Sequence, residues 1–135
     1  MTVMIVEDTA ILRKIMRDIL KEFCGMADSD IHDAEDAIKA IRNYKIIKPD
    51  IVFLDISMPK INGKMAIGQI LTVDPNANII MFTGSRGEKD VKECILAGAK
   101  DYLVKPLSPK RVQEAVRNVM GSAGKDKLPK ILRND

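Results

Sequence analysis

Val3, Met4, Ile5 and Val6 form a short apolar run that stops at Glu7 and Asp8. A run without alternation suits a parallel strand covered by helices on both faces. The period then changes: Leu12, Ile15, Met16, Ile19, Leu20 and Phe23 fall on one helical stripe, with Gly25 placed to stop it. Met26 to His32 mixes apolar residues with Asp28 and Asp30, the pattern of an exposed edge strand. Asp33 is expected to cap a second helix reaching about Tyr44, with Ala34, Ala37, Ile38 and Ile41 inward and Pro49 in the loop beyond.

The pattern repeats from there. Ile51 to Leu54 reads as a second buried strand ending at Asp55, and a loop over 56–63 leads to a helix that turns Ala66, Ile67, Ile70 and Leu71 inward. The turn residues Asp74, Pro75 and Asn76 precede a strand from Ile79 to Phe82 that ends at Thr83. A helix with Val91, Cys94 and Ile95 inward follows and stops at Gly98, and Tyr102 to Val104 forms the last strand. Lys105 and Pro106 follow it. Ser108 and Pro109 then supply the cap and first-turn proline of a final helix that buries Val112, Ala115, Val116, Val119 and Met120. Gly121-Ser122-Ala123-Gly124 ends the pattern and predicts a mobile basic tail over 122–135 after a domain over 1–121.

Five strands alternating with five helices predict an α/β fold, a doubly wound parallel sheet with helices on both faces. Ligands in such folds sit beyond the carboxyl ends of the strands. The polar residues there are Glu7, Asp8, Asp55, Thr83 and Lys105.

Composition narrows the picture. A chain of 135 residues fits one domain, and 46% apolar with 30% charged residues supplies both a core and a solvated surface, which excludes general disorder. With no Trp, the core is expected to be aliphatic. Cys24 and Cys94 are too far apart in sequence for a close metal pair, and the single His32 lies in the edge segment, so neither residue type marks a metal site. The start lacks the pattern of an export signal, and no segment approaches the roughly 18 apolar residues of a membrane span. A cytoplasmic protein without membrane insertion is expected. The net charge of +3 gathers in the final segment, at Lys125, Lys127, Lys130 and Arg133, leaving the rest nearly neutral. Direct nucleic-acid binding is therefore not expected.

Three acids brought to one crevice repel one another unless a cation or protons compensate them. Mg²⁺ suits this set, because it takes oxygen ligands and bridges phosphoryl oxygens. Lys105 is placed to neutralise an arriving phosphate and Thr83 to donate a hydroxyl hydrogen bond, leaving Asp55 as a nucleophile for covalent phosphoryl transfer.

At these residues the chain resembles the receiver domains of two-component response regulators, particularly the stand-alone chemotaxis type. The resemblance covers about residues 2–120 and rests on an ordered set: Glu7-Asp8, the segment from Asp55 to Gly63, Thr83-Gly84, Gly98-Ala99-Lys100-Asp101-Tyr102, and Lys105-Pro106. It implies a flavodoxin-like sheet with strand order 2-1-3-4-5. It also implies that Asp55 is the phosphoryl acceptor, that Asp8 and Asp55 bind Mg²⁺ directly, that Glu7 acts through water, and that Ser57 contributes its backbone carbonyl. Thr83 and Tyr102 match a coupled switch pair, Lys105 a phosphate contact, and the bond to Pro106 one usually cis. Ser57 and Ser85 match variable positions that influence hydrolysis. Glu7 stands where the family more often has Asp, and Leu107 where an aromatic residue is frequent.

The implied function is that of a monomeric single-domain regulator in chemotaxis or motility. A histidine kinase would phosphorylate it, and it would then change affinity for a separate output protein such as a motor component or phosphatase. Its chemistry would be self-phosphorylation and self-dephosphorylation rather than conventional turnover, with no attached output domain. Two rivals remain at this stage. A nucleotide- or flavin-binding enzyme would need a glycine-rich loop where Glu7-Asp8-Thr9-Ala10 stands, and a docking domain independent of phosphorylation would take up neither phosphate nor Mg²⁺.

Overall fold

The computed structural model describes residues 1–57, 62–84, 88–121 and 124–133. Five strands, β1 (Val3–Val6), β2 (Ile31–Ala34), β3 (Ile51–Asp55), β4 (Ile79–Thr83) and β5 (Asp101–Val104), alternate with helices α1 (Ala10–Glu22), α2 (Ala37–Ile47), α3 (Gly63–Val73), α4 (Glu88–Ala97) and α5 (Pro109–Met120). All strand pairs are parallel, in the order β2-β1-β3-β4-β5. The doubly wound, flavodoxin-like sheet expected from the sequence is the one observed.

Side-chain alternation splits the core in two. Val3, Ile5, Ile51, Phe53, Ile80 and Phe82 pack against Met16 and Leu20 of α1 and Val112 and Val116 of α5. Met4, Val6, Val52, Leu54, Ile79 and Met81 face α2, α3 and α4 through Ala40, Tyr44, Ala66, Ile67, Ile70 and Cys94. Both faces of β1, β3 and β4 are thus buried, which explains their unbroken apolar runs. Val3 pairs with both Ile31 and Ile51, so chain order reverses around β1, and the crevice above β1 and β3 receives the residues that end those strands.

Asn62 caps α3 by accepting from the main-chain N–H of Lys64 and Met65. The first residue of α3 must be small: a Cβ on Gly63 would lie 2.7 Å from Ile56 Cγ2. At Gly98 the φ of +124° and a Cβ position 2.4 Å from Leu71 Cδ1 both demand glycine where α4 turns into β5.

Several expectations are corrected. The edge strand begins at Ile31 rather than Met26, with a 3-10 turn over Asp28–Asp30 before it. Asp33 lies inside that strand opposite Ile5, and the cap of α2 is Asp36, which accepts from Lys39 N–H at 2.8 Å. This later start rotates the helix: Ala40 and Tyr44 are buried and Ile38 is 70% exposed. Ile15, Phe23 and Ile95 are also exposed, because the buried stripe of each helix is narrower than its apolar pattern. The segment expected to be a mobile tail packs instead. Two short 3-10 turns, Lys125–Lys127 and Lys130–Leu132, carry Leu128 and Leu132 into the core beside α1 and α5.

Candidate functional site

Glu7 and Asp8 follow β1, Asp55 ends β3, Thr83 ends β4, and Lys105 follows β5. Parallel register carries all of them to one end of the sheet. Glu7, Asp55 and Thr83 are buried and Asp8 is exposed, so the acidic group opens to solvent on one side. Among the described residues, Glu7, Asp8 and Asp55 are the group whose ligand atoms could share one metal ion, all lying within 4.8 Å of one another.

Asp55 is held from two directions. Its Oδ1 accepts from the Ser57 main-chain N–H at 2.7 Å and from the Ser57 hydroxyl at 2.6 Å. Its Oδ2 accepts from the Lys105 ammonium at 2.9 Å. The same ammonium lies 3.9 Å from Glu7 Oε2 and 5.5 Å from the centre of the Phe82 ring. The Lys105–Pro106 bond is cis, as the resemblance implies.

Glu7 differs from Asp55 in its surroundings. One carboxylate oxygen accepts from the Thr9 N–H at 3.0 Å. The other, Oε2, is the one buried side-chain oxygen without a hydrogen-bond partner among the described residues. Two carboxylates within 4.8 Å repel by about 3 kcal/mol at an effective dielectric constant of about 20. Burial and the nearby Asp55 push Glu7 up to about 8, against the Thr9 hydrogen bond. Burial would raise Asp55 as well, but the neighbouring Glu7, Ser57 and Lys105 outweigh it and hold its carboxyl below the ordinary carboxylate range. The surroundings thus favour protonation of Glu7 over protonation of Asp55.

An unpartnered buried oxygen and an exposed carboxylate, facing a third charged one, fit a hard divalent cation that retains part of its water shell. Beside the acids, a cavity of about 380 Å³ is lined by Ser57, Asn62, Thr83, Asp90, Glu93 and Cys94, among others. Ser57 and Thr83 connect it to the site, and Glu7, Asp8 and Asp55 do not line it.

The expected site residues thus assemble, except Tyr102. It stands opposite Met81 on β5, below the Thr83–Val104 pair, and is 39% exposed. Arg111 lies 5.9 Å over its ring and also donates to its carbonyl. Ser85 and residues 58–61 lie outside the described residues. Sequence reasoning missed Thr9, whose hydroxyl donates to Asp8 Oδ1 at 3.3 Å, and Arg13, which donates to the main-chain carbonyl of Glu7 at 2.7 Å. A basic residue one turn into the helix after an acidic strand end was the available signal for Arg13.

Comparison with known proteins gives concordant results. The family described as "Response regulator receiver domain" matches residues 3–117. Chemotaxis protein CheY of Thermotoga maritima is 43% identical over 117 residues, covering 87% of this chain and 95% of the relative. CheY of Halobacterium salinarum is 36% identical over 118 residues, covering 87% and 95% respectively. Among solved structures, the CheX-CheY-BeF3-Mg+2 complex from Borrelia burgdorferi contains a chain that superposes with a TM-score of 0.78 at 32% identity, with 90% of each chain covered.

Proposed function

The chain belongs to the response regulator receiver domain family, and from that premise we propose that Asp55 carries the phosphoryl group in a phosphorylation-controlled signalling switch. It is a phosphoryl-acceptor domain of the CheY-like kind, whose chemistry is its own phosphorylation and dephosphorylation rather than repeated turnover of a substrate. The observation that carries the assignment is the position of Asp55: buried at the end of β3, 2.9 Å from the Lys105 ammonium, with Glu7 and Asp8 beside it.

In the forward step a carboxylate oxygen of Asp55 attacks the phosphorus of a phosphohistidine on a histidine kinase. The P–N bond breaks, a P–O bond forms, and the imidazole leaves with its electron pair. Both Asp55 oxygens carry donors beforehand, so the Ser57 hydroxyl and the Lys105 ammonium re-aim toward the arriving phosphoryl oxygens. Thr83 is placed to donate to the same oxygens. In the resetting step water attacks phosphorus, the bond between phosphorus and the Asp55 oxygen breaks, and inorganic phosphate leaves with Asp55 again a carboxylate.

Glu7, Asp8, Asp55 and the Ser57 carbonyl would hold Mg²⁺. When bound, the cation supplies charge neutralisation for the transferring phosphoryl group. The proposed output is a separate protein that reads the α4–β5–α5 face, on which Tyr102 is partly exposed, in chemotaxis or motility signalling. The kinship with CheY proteins supports this reading. No helix among the described residues is long and apolar enough to cross a membrane. The kinship with CheY proteins supports a cytoplasmic location beside a histidine kinase. Incubation of the chain with Mg²⁺ and a small acyl phosphate, followed by intact-mass measurement, tests the assignment. One added phosphoryl group is expected, and no adduct at any Mg²⁺ concentration would remove its basis.

A further inference from the structure

The turn that carries Glu7 and Asp8 lacks a conventional helix cap. Thr9 occupies the N-cap of α1 without making a side-chain capping bond, and the first turn holds no acidic residue. The Thr9 hydroxyl is turned to Asp8 instead. Arg13, one turn into α1, reaches back and donates from Nη1 to the main-chain carbonyl of Glu7 at 2.7 Å, a charge-assisted bond at the short end of the usual range. Its Nε faces Asp33 Oδ2 of β2 at 3.8 Å, while Arg17 holds the other Asp33 oxygen at 2.8 Å. Only 19% of the Arg13 side chain is exposed. One guanidinium therefore spans the end of β1 and the edge strand.

Resting on the reading of Glu7 and Asp8 as cation ligands, we propose that Arg13 is a positioning residue for the metal site. Its bond is to the main chain between the two acids' side chains, and it ties that peptide to the first turn of α1. Without a cation the crowded acids are relieved either by taking up a proton or by opening the turn. A cation binds more tightly when its ligands are already convergent, because less ordering is left to the binding step. Arg13 supplies that convergence by fixing the peptide from which both carboxylates project. The planar fork matters: a lysine ammonium reaches the Glu7 carbonyl or Asp33 but does not span both.

The test is calorimetric titration of Mg²⁺ into the full chain, with melting curves recorded alongside. Arg13→Met is expected to weaken Mg²⁺ binding about tenfold, the lower end of the loss typical for residues that orient metal ligands. Arg13→Lys is expected to recover part of that loss. Asp33→Asn keeps the Glu7 contact and weakens the attachments of Arg13 and Arg17 to β2, so it lowers the melting temperature and weakens Mg²⁺ binding less than Arg13→Met does. If the Met variant fails to fold, Arg13→Gln gives the same reading, since its short amide does not reach the Glu7 carbonyl. An Arg13 variant that folds, melts early and binds Mg²⁺ as the parent does would overturn the proposal, leaving Arg13 a packing residue. Asp8→Asn separates the two levels of the argument: if it too leaves Mg²⁺ binding unchanged, the metal-site reading itself fails, and with it the role of Arg13.

Discussion

Lys105 donates to Asp55 Oδ2 at 2.9 Å while standing 3.9 Å from Glu7 Oε2, so one ammonium is shared unequally between two buried acids. Together with Glu7 and Ser57, this shorter contact favours the charged form of Asp55, while burial disfavours that of Glu7. Replacing Lys105 by Met removes the donor that an arriving phosphoryl group would meet. Phosphoryl uptake from a small donor is expected to slow by about 10²-fold, the usual loss when one preorganised donor is removed. Stopped-flow or timed intact-mass measurements read this rate, and a Met variant as fast as the parent would detach Lys105 from the chemistry.

The raised Glu7 also predicts a pH dependence. Glu7 titrates at about 8 in the folded chain against an ordinary value of 4.5, so between those values the folded state holds a proton that the unfolded chain has released. Stability from this group is fully present below 4.5 and is lost as pH rises through about 8. Asp55 works in the opposite sense: its lowered pKa gives stability above 3.8 that disappears as pH falls further. Melting temperatures of the chelator-treated protein between these limits should decline with rising pH, and Glu7→Gln should flatten the decline. An equal slope in the Gln variant would place the titration elsewhere.

Leu132 is completely buried and Leu128 nearly so, although both lie beyond the last regular helix. Arg117 Nε also donates to the Leu132 carbonyl at 3.2 Å, tying this segment to α5. Leu132→Ala is expected to cost about 2–5 kcal/mol and on the order of 10 °C in melting temperature. Truncation after Ala123 should cost at least as much, while phosphoryl uptake at low temperature persists, since every proposed site residue lies upstream. Denaturant melts of both variants measure this, and an unchanged midpoint would show that the segment does not pack in solution.

These contrasts show where sequence was informative. β1, β3 and β4 are buried on both faces, and such strands write themselves as apolar runs ended by the very residues that form the site. β2 is an edge strand in which His32 and Asp33 stand side by side between buried Ile31 and Ala34. Asp33 there is satisfied by Arg13 and Arg17 across α1, a pairing that no local pattern announces. Leu128 and Leu132 sit among charges and next to Pro129, in turns too short to show a period. Arg13 acts on a main-chain carbonyl, so the sequence offers only its basic type one turn after the acids and not its acceptor.

Thr83 is buried at the site and Tyr102 is partly exposed on β5, and the proposed switch couples the two. Phosphorylation adds acceptor oxygens that would draw the Thr83 hydroxyl inward and free space for the Tyr102 ring. A tenfold change in partner affinity needs only about 1.4 kcal/mol of differential binding between the two positions of the ring. Thr83→Ala and Tyr102→Ala are each expected to accept phosphate and to shrink the ratio of phosphorylated to unphosphorylated affinity. Binding assays with the output partner decide it: if both variants preserve the parent ratio, the pair is not the switch.

The central claim is that Asp55 is the phosphoryl acceptor. Asn at this position keeps the size of the side chain and removes the anionic nucleophile, so the fold should survive while the chemistry stops. The direct measurement is peptide mapping of parent and Asp55→Asn protein after exposure to Mg²⁺ and a small acyl phosphate. The expected result is one hydroxylamine-sensitive phosphoryl group on the peptide containing Asp55 in the parent, and none in the folded Asn variant. An undiminished, hydroxylamine-sensitive adduct in the Asn variant would contradict the assignment.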